Sequence, residues 1–108
     1  MPAGKADYTV KNVETVVAGT DVRTRIFTLA PGEVIPWHTH SQIADHIFVL
    51  AGELTVETRA PDRRLTLGVG ERHQVAAGNI HQTSNLTAAD CRFLLIQGVG
   101  KYDFKRAH

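Results

Sequence analysis

The chain has almost nothing with which to staple itself. Its 108 residues contain a single cysteine, Cys91, so no internal disulfide can form. The apolar setting "CRFLLIQ" suits a small buried side chain better than a nucleophile. No apolar run is long enough for a membrane span or a secretory leader. Excess charge is lacking too: twelve Lys and Arg against eleven Asp and Glu leave a net charge of +1, and no basic cluster alternates with aromatics, which excludes a polyanion-binding field. These absences set the expectations of a cytoplasmic location, no membrane and no nucleic-acid partner. Sustained helical spacing is missing as well, which argues against a helical bundle. The length fits one domain, 1–108, with one core.

What the sequence does have is alternation. Apolar residues recur every second position in short runs separated by Gly, Pro, Asp or Asn, the pattern of half-buried strands. The candidate strands are 8–17, 22–29, 34–40, 46–51, 53–58, 64–67, 71–75, 80–85 and 92–99, with turns at "AGTD", "APGE", "AG", "APDR", "GVGE" and "AAGN". In "ELTVET", Leu54 and Val56 are expected on a dry face and Glu53, Thr55 and Glu57 on a wet one. Many short strands with such punctuation indicate an all-β sandwich or barrel. On the strand 92–99, alternation alone does not choose between Phe93 with Leu95 and Leu94 with Ile96 as the inward set. Tyr102 and Phe104 are candidates to anchor the tail.

Three of the six histidines fall between Pro36 and Glu53. His38 and His40, two apart in a probable strand, project from one face, with Trp37 and Thr39 on the other. A divalent first-row metal takes such imidazoles together with further ligands from elsewhere in the chain. His81, after the turn "AAGN", is the natural third, and Asp45 is a carboxylate candidate. His73 and His108 are read as surface or satisfied core residues and not as ligands. Asn85 reads as a turn or strand-end anchor, Thr83 as a neighbour of His81, Trp37 as packing, and Gln42 as a solvent-facing loop residue. Ile47 and Val49 share the parity of Asp45 and are expected as apolar lining, with His46, Phe48 and Leu50 opposite.

Two segments carry a family resemblance. "GEVIPWHTHSQIADHIFVLAG", 32–52, resembles the first cupin motif at Gly32, His38, His40 and Gly52, with Asp45 in the place of the family Glu. "GERHQVAAGNIHQTSN", 70–85, resembles the second at Gly70, Gly78, His81 and Asn85, with Ala76 in the place of a Pro. The resemblance implies a double-stranded β-helix, or jelly-roll barrel. It also implies a divalent Fe, Mn, Ni or Zn ion inside the barrel on His38, His40 and His81, with a carboxylate position at Asp45. Asp is shorter than Glu by about one C–C bond, ~1.5 Å, so Asp45 is expected in the coordination sphere or just outside it, orienting a histidine or substrate.

The function expected on this basis is a metalloenzyme acting on a small oxygen-bearing metabolite, by dioxygenase, lyase, decarboxylase or isomerase chemistry. Asp45 or His46 would carry the proton, His46 only if a bulge turns it inward. The alternatives are a non-catalytic cupin that binds a metal or small molecule, and a structural scaffold. A homodimer is expected by family analogy, with the N-terminal strand as a contributor.

Overall fold

The computed structural model of the chain describes residues 8–108. Ten strands run in order: β1 (Asn12–Ala18), β2 (Val22–Leu29), β3 (Val34–Thr39), β4 (Ala44–Ala51), β5 (Leu54–Thr58), β6 (Arg63–Leu67), β7 (Arg72–Val75), β8 (His81–Ser84), β9 (Cys91–Gly98) and β10 (Lys105–Arg106). They form two five-stranded antiparallel sheets, β1-β2-β9-β4-β7 and β10-β3-β8-β5-β6. The chain passes back and forth between the sheets, which is the all-β double-stranded β-helix expected. No helix among the described residues is long and apolar enough to cross a membrane.

Register across the first sheet sorts its inward residues into layers. Leu29 pairs with Cys91; Phe27 pairs with Phe93, which pairs with Val49; Arg25 pairs with Leu95, which pairs with Ile47; Arg23 pairs with Gln97, which pairs with Asp45. Phe93 and Leu95 are therefore the inward set of β9, and Leu94 and Ile96 face out. The apolar layers pack against Leu54, Val56 and Val75 in one core. Phe27 and Phe93 stack at its centre, ring centroids 5.4 Å apart. Each such side chain removed from water contributes on the order of 1.5–3 kcal/mol. Cys91 is fully buried, and burial raises its thiol pKa to about 11, in keeping with a packing role.

Two local devices hold the layers in place. Gly52, between β4 and β5, has φ +74°, and a Cβ there would lie 2.5 Å from the Asp90 carbonyl oxygen, so only glycine fits. Asn85, also fully buried, donates to the Leu29 and Ala89 carbonyls at 2.9 and 2.7 Å and accepts from Thr87. It pins the loop after β8, as expected of a strand-end anchor.

The boundaries differ from the alternation reading at several points. β1 starts at Asn12, and Tyr8 lies before it, stacked on Phe104 with centroids 5.8 Å apart. Thr55 is buried rather than wet, because β5 lies inside its sheet between β6 and β8 and pairs with Thr66 and Ser84. The short β10 was not foreseen; it pairs with β3 beside His38 and Thr39. The exposed edge of the first sheet is β1, every residue of which is solvent-facing, Val13, Val16 and Val17 included.

Candidate metal centre

Three strands and one loop bring the predicted residues together. In β3 the pairing with β8 shifts register between Ile35 and His38. Pro36, which has no N–H to give to a ladder, sits in that bulge. Ile35 and His38 are an odd number of residues apart, so regular alternation would put them on opposite faces; after the bulge both line the same cavity. His38 then pairs directly with His81 on β8. His40 lies just past the end of β3 on the same side as His38. The Gly78 N–H, in the turn before β8, donates to the His40 carbonyl at 2.8 Å. This bond ties the two sequence motifs together, and φ +83° at Gly78 lets the turn close. Asp45 reaches the cluster from β4, which begins one residue before it.

His38, His40, Asp45 and His81 are all buried, and one candidate ligand atom from each lies within 4.8 Å of the others. The imidazoles are oriented from behind in the same way. His38 Nδ1–H donates to the Pro36 carbonyl at 2.6 Å, His40 Nδ1–H to the Asp103 carbonyl at 2.5 Å, and His81 Nδ1–H to the Asn79 carbonyl at 2.9 Å. A carbonyl can only accept, so each Nδ1 carries a proton and Nε2 is the nitrogen that each ring aims into the cluster, a lone-pair donor once it is deprotonated. His81 Nε2 faces Asp45 Oδ2 at 2.9 Å. Two lone pairs at that distance require a cation between or on them, either a proton or a metal ion. The donor set, borderline nitrogen plus hard oxygen, suits a divalent first-row metal.

The electrostatics follow from this packing. Burial alone would raise the pKa of Asp45, but hydrogen bonds and charge from His40 and His81 outweigh it and hold the carboxyl well below the usual range. Burial, reinforced by His81, lowers His38 to about 4. Burial also opposes the protonation of His40, yet its contact with Asp45 leaves that ring raised.

Gln97 was not picked out in the sequence. It is buried on β9, donates from Nε2 to Asp45 Oδ1 at 2.9 Å and accepts at Oε1 from Arg25 Nη2 at 2.7 Å. Arg25, Tyr102, Phe104 and Asp103 were likewise missed as site residues. Phe104 stacks on His38 at 4.4 Å between centroids. The cavity, with room of about 20 Å³, is lined by the cluster, Arg25, Gln97 and apolar walls that include Ile35, Ile47, Phe93 and Leu95. Thr83 joins the lining as expected, but Val49 lies in the core layer below it.

His46 does not reach the cavity. Without a bulge around it, β4 alternates regularly and carries His46 to the other face, where it lines a surface depression with Phe48, Arg72, His73 and Gln74. Trp37 is half-buried beneath the Arg59 guanidinium, 4.1 Å from its ring centroid, and Gln42 is exposed and bonded to the Lys101 N–H. Neither touches the cluster.

The arrangement of two motifs on facing strands has a counterpart in known families. The cupin-domain family model matches residues 25–97. This chain belongs to the cupin family. Among solved structures, this cupin is similar to an uncharacterised double-stranded β-helix protein from Klebsiella pneumoniae, with 19% identity and a TM-score of 0.78 over 100% of this chain and 89% of the other. It is similar to TT1209 from Thermus thermophilus, with 20% identity and a TM-score of 0.73 over 87% and 90%. An oxalate oxidase solved with glycolate matches at 17% identity and TM-score 0.75 over 88% of this chain and 54% of the other, so the cupin spans about half the length of that enzyme. At such identities the likeness is one of fold. No curated protein sequence matches the chain.

Proposed function

We propose that this cupin is a metal-dependent enzyme acting on a small oxygen-bearing metabolite, with His38, His40, His81 and Asp45 as the metal ligands. The observation that carries the reading is the common tether: all three Nδ1–H groups are held by backbone carbonyls, so three Nε2 lone pairs and one carboxylate are left to a shared point. A divalent Fe, Mn, Ni or Zn ion suits these donors. When bound, such an ion supplies Lewis acidity for lyase, decarboxylase or isomerase chemistry on a carbonyl or enolate, or, as Fe(II), dioxygen chemistry.

The chain's own residues do the rest. The carbonyl tethers fix ring tautomer and direction before any ligand arrives. Asp45, kept ionised by its neighbours, is able to accept a proton from a substrate in the cavity. Gln97 holds one Asp45 oxygen, which leaves the other to face His81. Ile35, Ile47, Phe93 and Leu95 give the cavity apolar walls, a low-polarity setting that strengthens each polar contact made inside.

The experiment is metal analysis of wild type and His81→Ala after reconstitution with Fe(II), Mn(II), Ni(II) and Zn(II). Stoichiometric metal in wild type, lost in His81→Ala, is the expected result. Full metal content in the variant, or none in wild type with any of the ions, sinks the assignment. The half-buried aromatics Tyr8, Tyr102 and Phe104 along the cavity favour a second reading, a cupin that binds without turnover. A substrate-dependent spectral change in iron-loaded protein, followed by product, separates the enzyme from the binder.

A further inference from the structure

We infer that Arg25 is the recognition residue for the carboxylate of a short-chain acid, which names the substrate class of the centre proposed above. The inference rests on that reading for the role of the site, and on Arg25's own surroundings for the carboxylate.

Arg23 and Arg25 are two apart on β2 and project from the same face. Their guanidinium carbons lie 3.8 and 5.7 Å from the Tyr102 ring centroid, and that of Arg25 also lies 4.9 Å from the Phe27 ring. Arg25 lines the same cavity as the histidines and Asp45. Neither arginine has a carboxylate partner among the described residues, where the ion pairs are Lys11–Asp90, His40–Asp45 and His81–Asp45. Two cations thus stand beside a cavity whose one lining carboxylate is Asp45, the Asp103 carboxylate being held outside it by Ser41, and a bound divalent ion would add to the excess. The unbalanced charge calls for an anion.

The donors of Arg25 point the same way. Its Nη2 is engaged by Gln97, but its Nε–H is buried and has no hydrogen-bond partner. Buried N–H groups are rarely left so, because an unmade bond costs the group its hydration. A planar guanidinium matches the paired oxygens of an oxyanion such as a carboxylate, and the Phe27 and Tyr102 rings pack beside it.

Gln97 explains why the charge is still available. Its amide stands between Arg25 and Asp45, bonded to both, and so keeps them from collapsing into an ion pair. The same spacing limits the ligand: a molecule that touches both Arg25 and the histidine cluster spans little more than one amide and two hydrogen bonds. That is the size of a short-chain acid.

The test is calorimetric titration of the full chain, Zn(II)-reconstituted and metal-free, with pyruvate, with the neutral pyruvamide and with inorganic phosphate. Metal content is measured on every sample. Pyruvate is expected to bind wild type about tenfold or more tightly than pyruvamide, and Arg25→Gln to lose about tenfold or more of that affinity with metal content unchanged. Arg25→Met, which keeps the aliphatic stem beside Phe27, is expected to behave alike and decides the matter if Arg25→Gln fails to fold. Unchanged pyruvate affinity in a folded variant, tighter binding of phosphate than of pyruvate, or no pyruvate binding by either form of wild type overturns the assignment. Wild type that takes up no Zn(II) yet binds pyruvate through Arg25 overturns the metal reading and leaves this one standing.

Discussion

The two ends of the barrel are built from the same three strands and differ in what those strands carry. At one end the inward positions of β2, β9 and β4 are Phe27, Phe93 and Val49; two layers along they are Arg23, Gln97 and Asp45. Backbone pairing continues across both layers. The dry layer is held by area removed from water and tolerates any filling of the right volume. The polar layer must be solved bond by bond, because each buried donor or acceptor without a partner costs about 1–3 kcal/mol. Alternation therefore fixes where a side chain points, whereas the partners available there decide whether a polar one survives burial.

Substitutions at the two ends are expected to fail in different ways. The largest loss is expected at the dry end: Phe93→Ala opens a cavity beside Phe27 and should cost about 3–5 kcal/mol, read as a lowered urea midpoint. If the midpoint hardly moves, the apolar layers are not the source of stability.

At the polar end, pH is the next lever. His38 has an ordinary pKa of 6.5 and a folded value of about 4. Between these the unfolded chain holds more protons, so metal-free protein should lose stability as pH is lowered from 6.5 to 4, by on the order of 3 kcal/mol from this group. His40, raised in the fold, works in the opposite direction: its contribution is complete below its unfolded value and is lost as pH rises through the folded one. Urea midpoints measured in chelator across this range should fall on acidification, and the fall should be smaller in His38→Gln. A flat profile in wild type would mean that the ring is not buried neutral.

Gln97→Leu sharpens the comparison further, since it converts one polar position to the chemistry of the dry layer. It strands Asp45 Oδ1 and Arg25 Nη2, and a cost of about 1–3 kcal/mol with metal affinity lowered about 10–100-fold is expected from denaturation and metal titration. Stability equal to wild type would show that Gln97 only fills space. The smallest effect is expected outside both ends: Val69→Ser, at a position 66% exposed, should stay within about 0.5 kcal/mol in the same denaturation assay.

The dry end and the ligand cluster were legible for different reasons. Strand alternation placed Leu54, Val56 and Ile47 because burial repeats with the pleat. His38, His40, His81 and Asp45 stood out because titratable side chains sit at recurring distances from turn glycines. Gln97 and Arg25 gave no such signal. Gln97 is a single polar residue at the end of an otherwise apolar inward row, and Arg25 with Arg23 makes the polar half of another; taken alone, each reads as a strand running out into solvent. What identifies them is the pairing of β2 with β9 and of β9 with β4, a relation between segments far apart in the chain. The inward set of β9 was undecidable for the same reason, and His46 fell out of the site because β4 runs in regular register from Asp45 to Phe48, its shift coming only between Val49 and Ala51. β10, only two residues long, is too short to leave a periodic trace.

The tether of His40 has a consequence in time. The carbonyl that orients this ring belongs to a residue 63 positions later. At a synthesis rate of about 5–20 residues per second, the imidazole exists for several seconds before its orienting partner does. During that interval the ring lacks its orienting partner and is open to any imidazole-binding ion the cell leaves free. Only when the later segment docks do the three rings share one aim, so under the proposed reading any preference for one ion over another would belong to the finished barrel and not to the emerging chain.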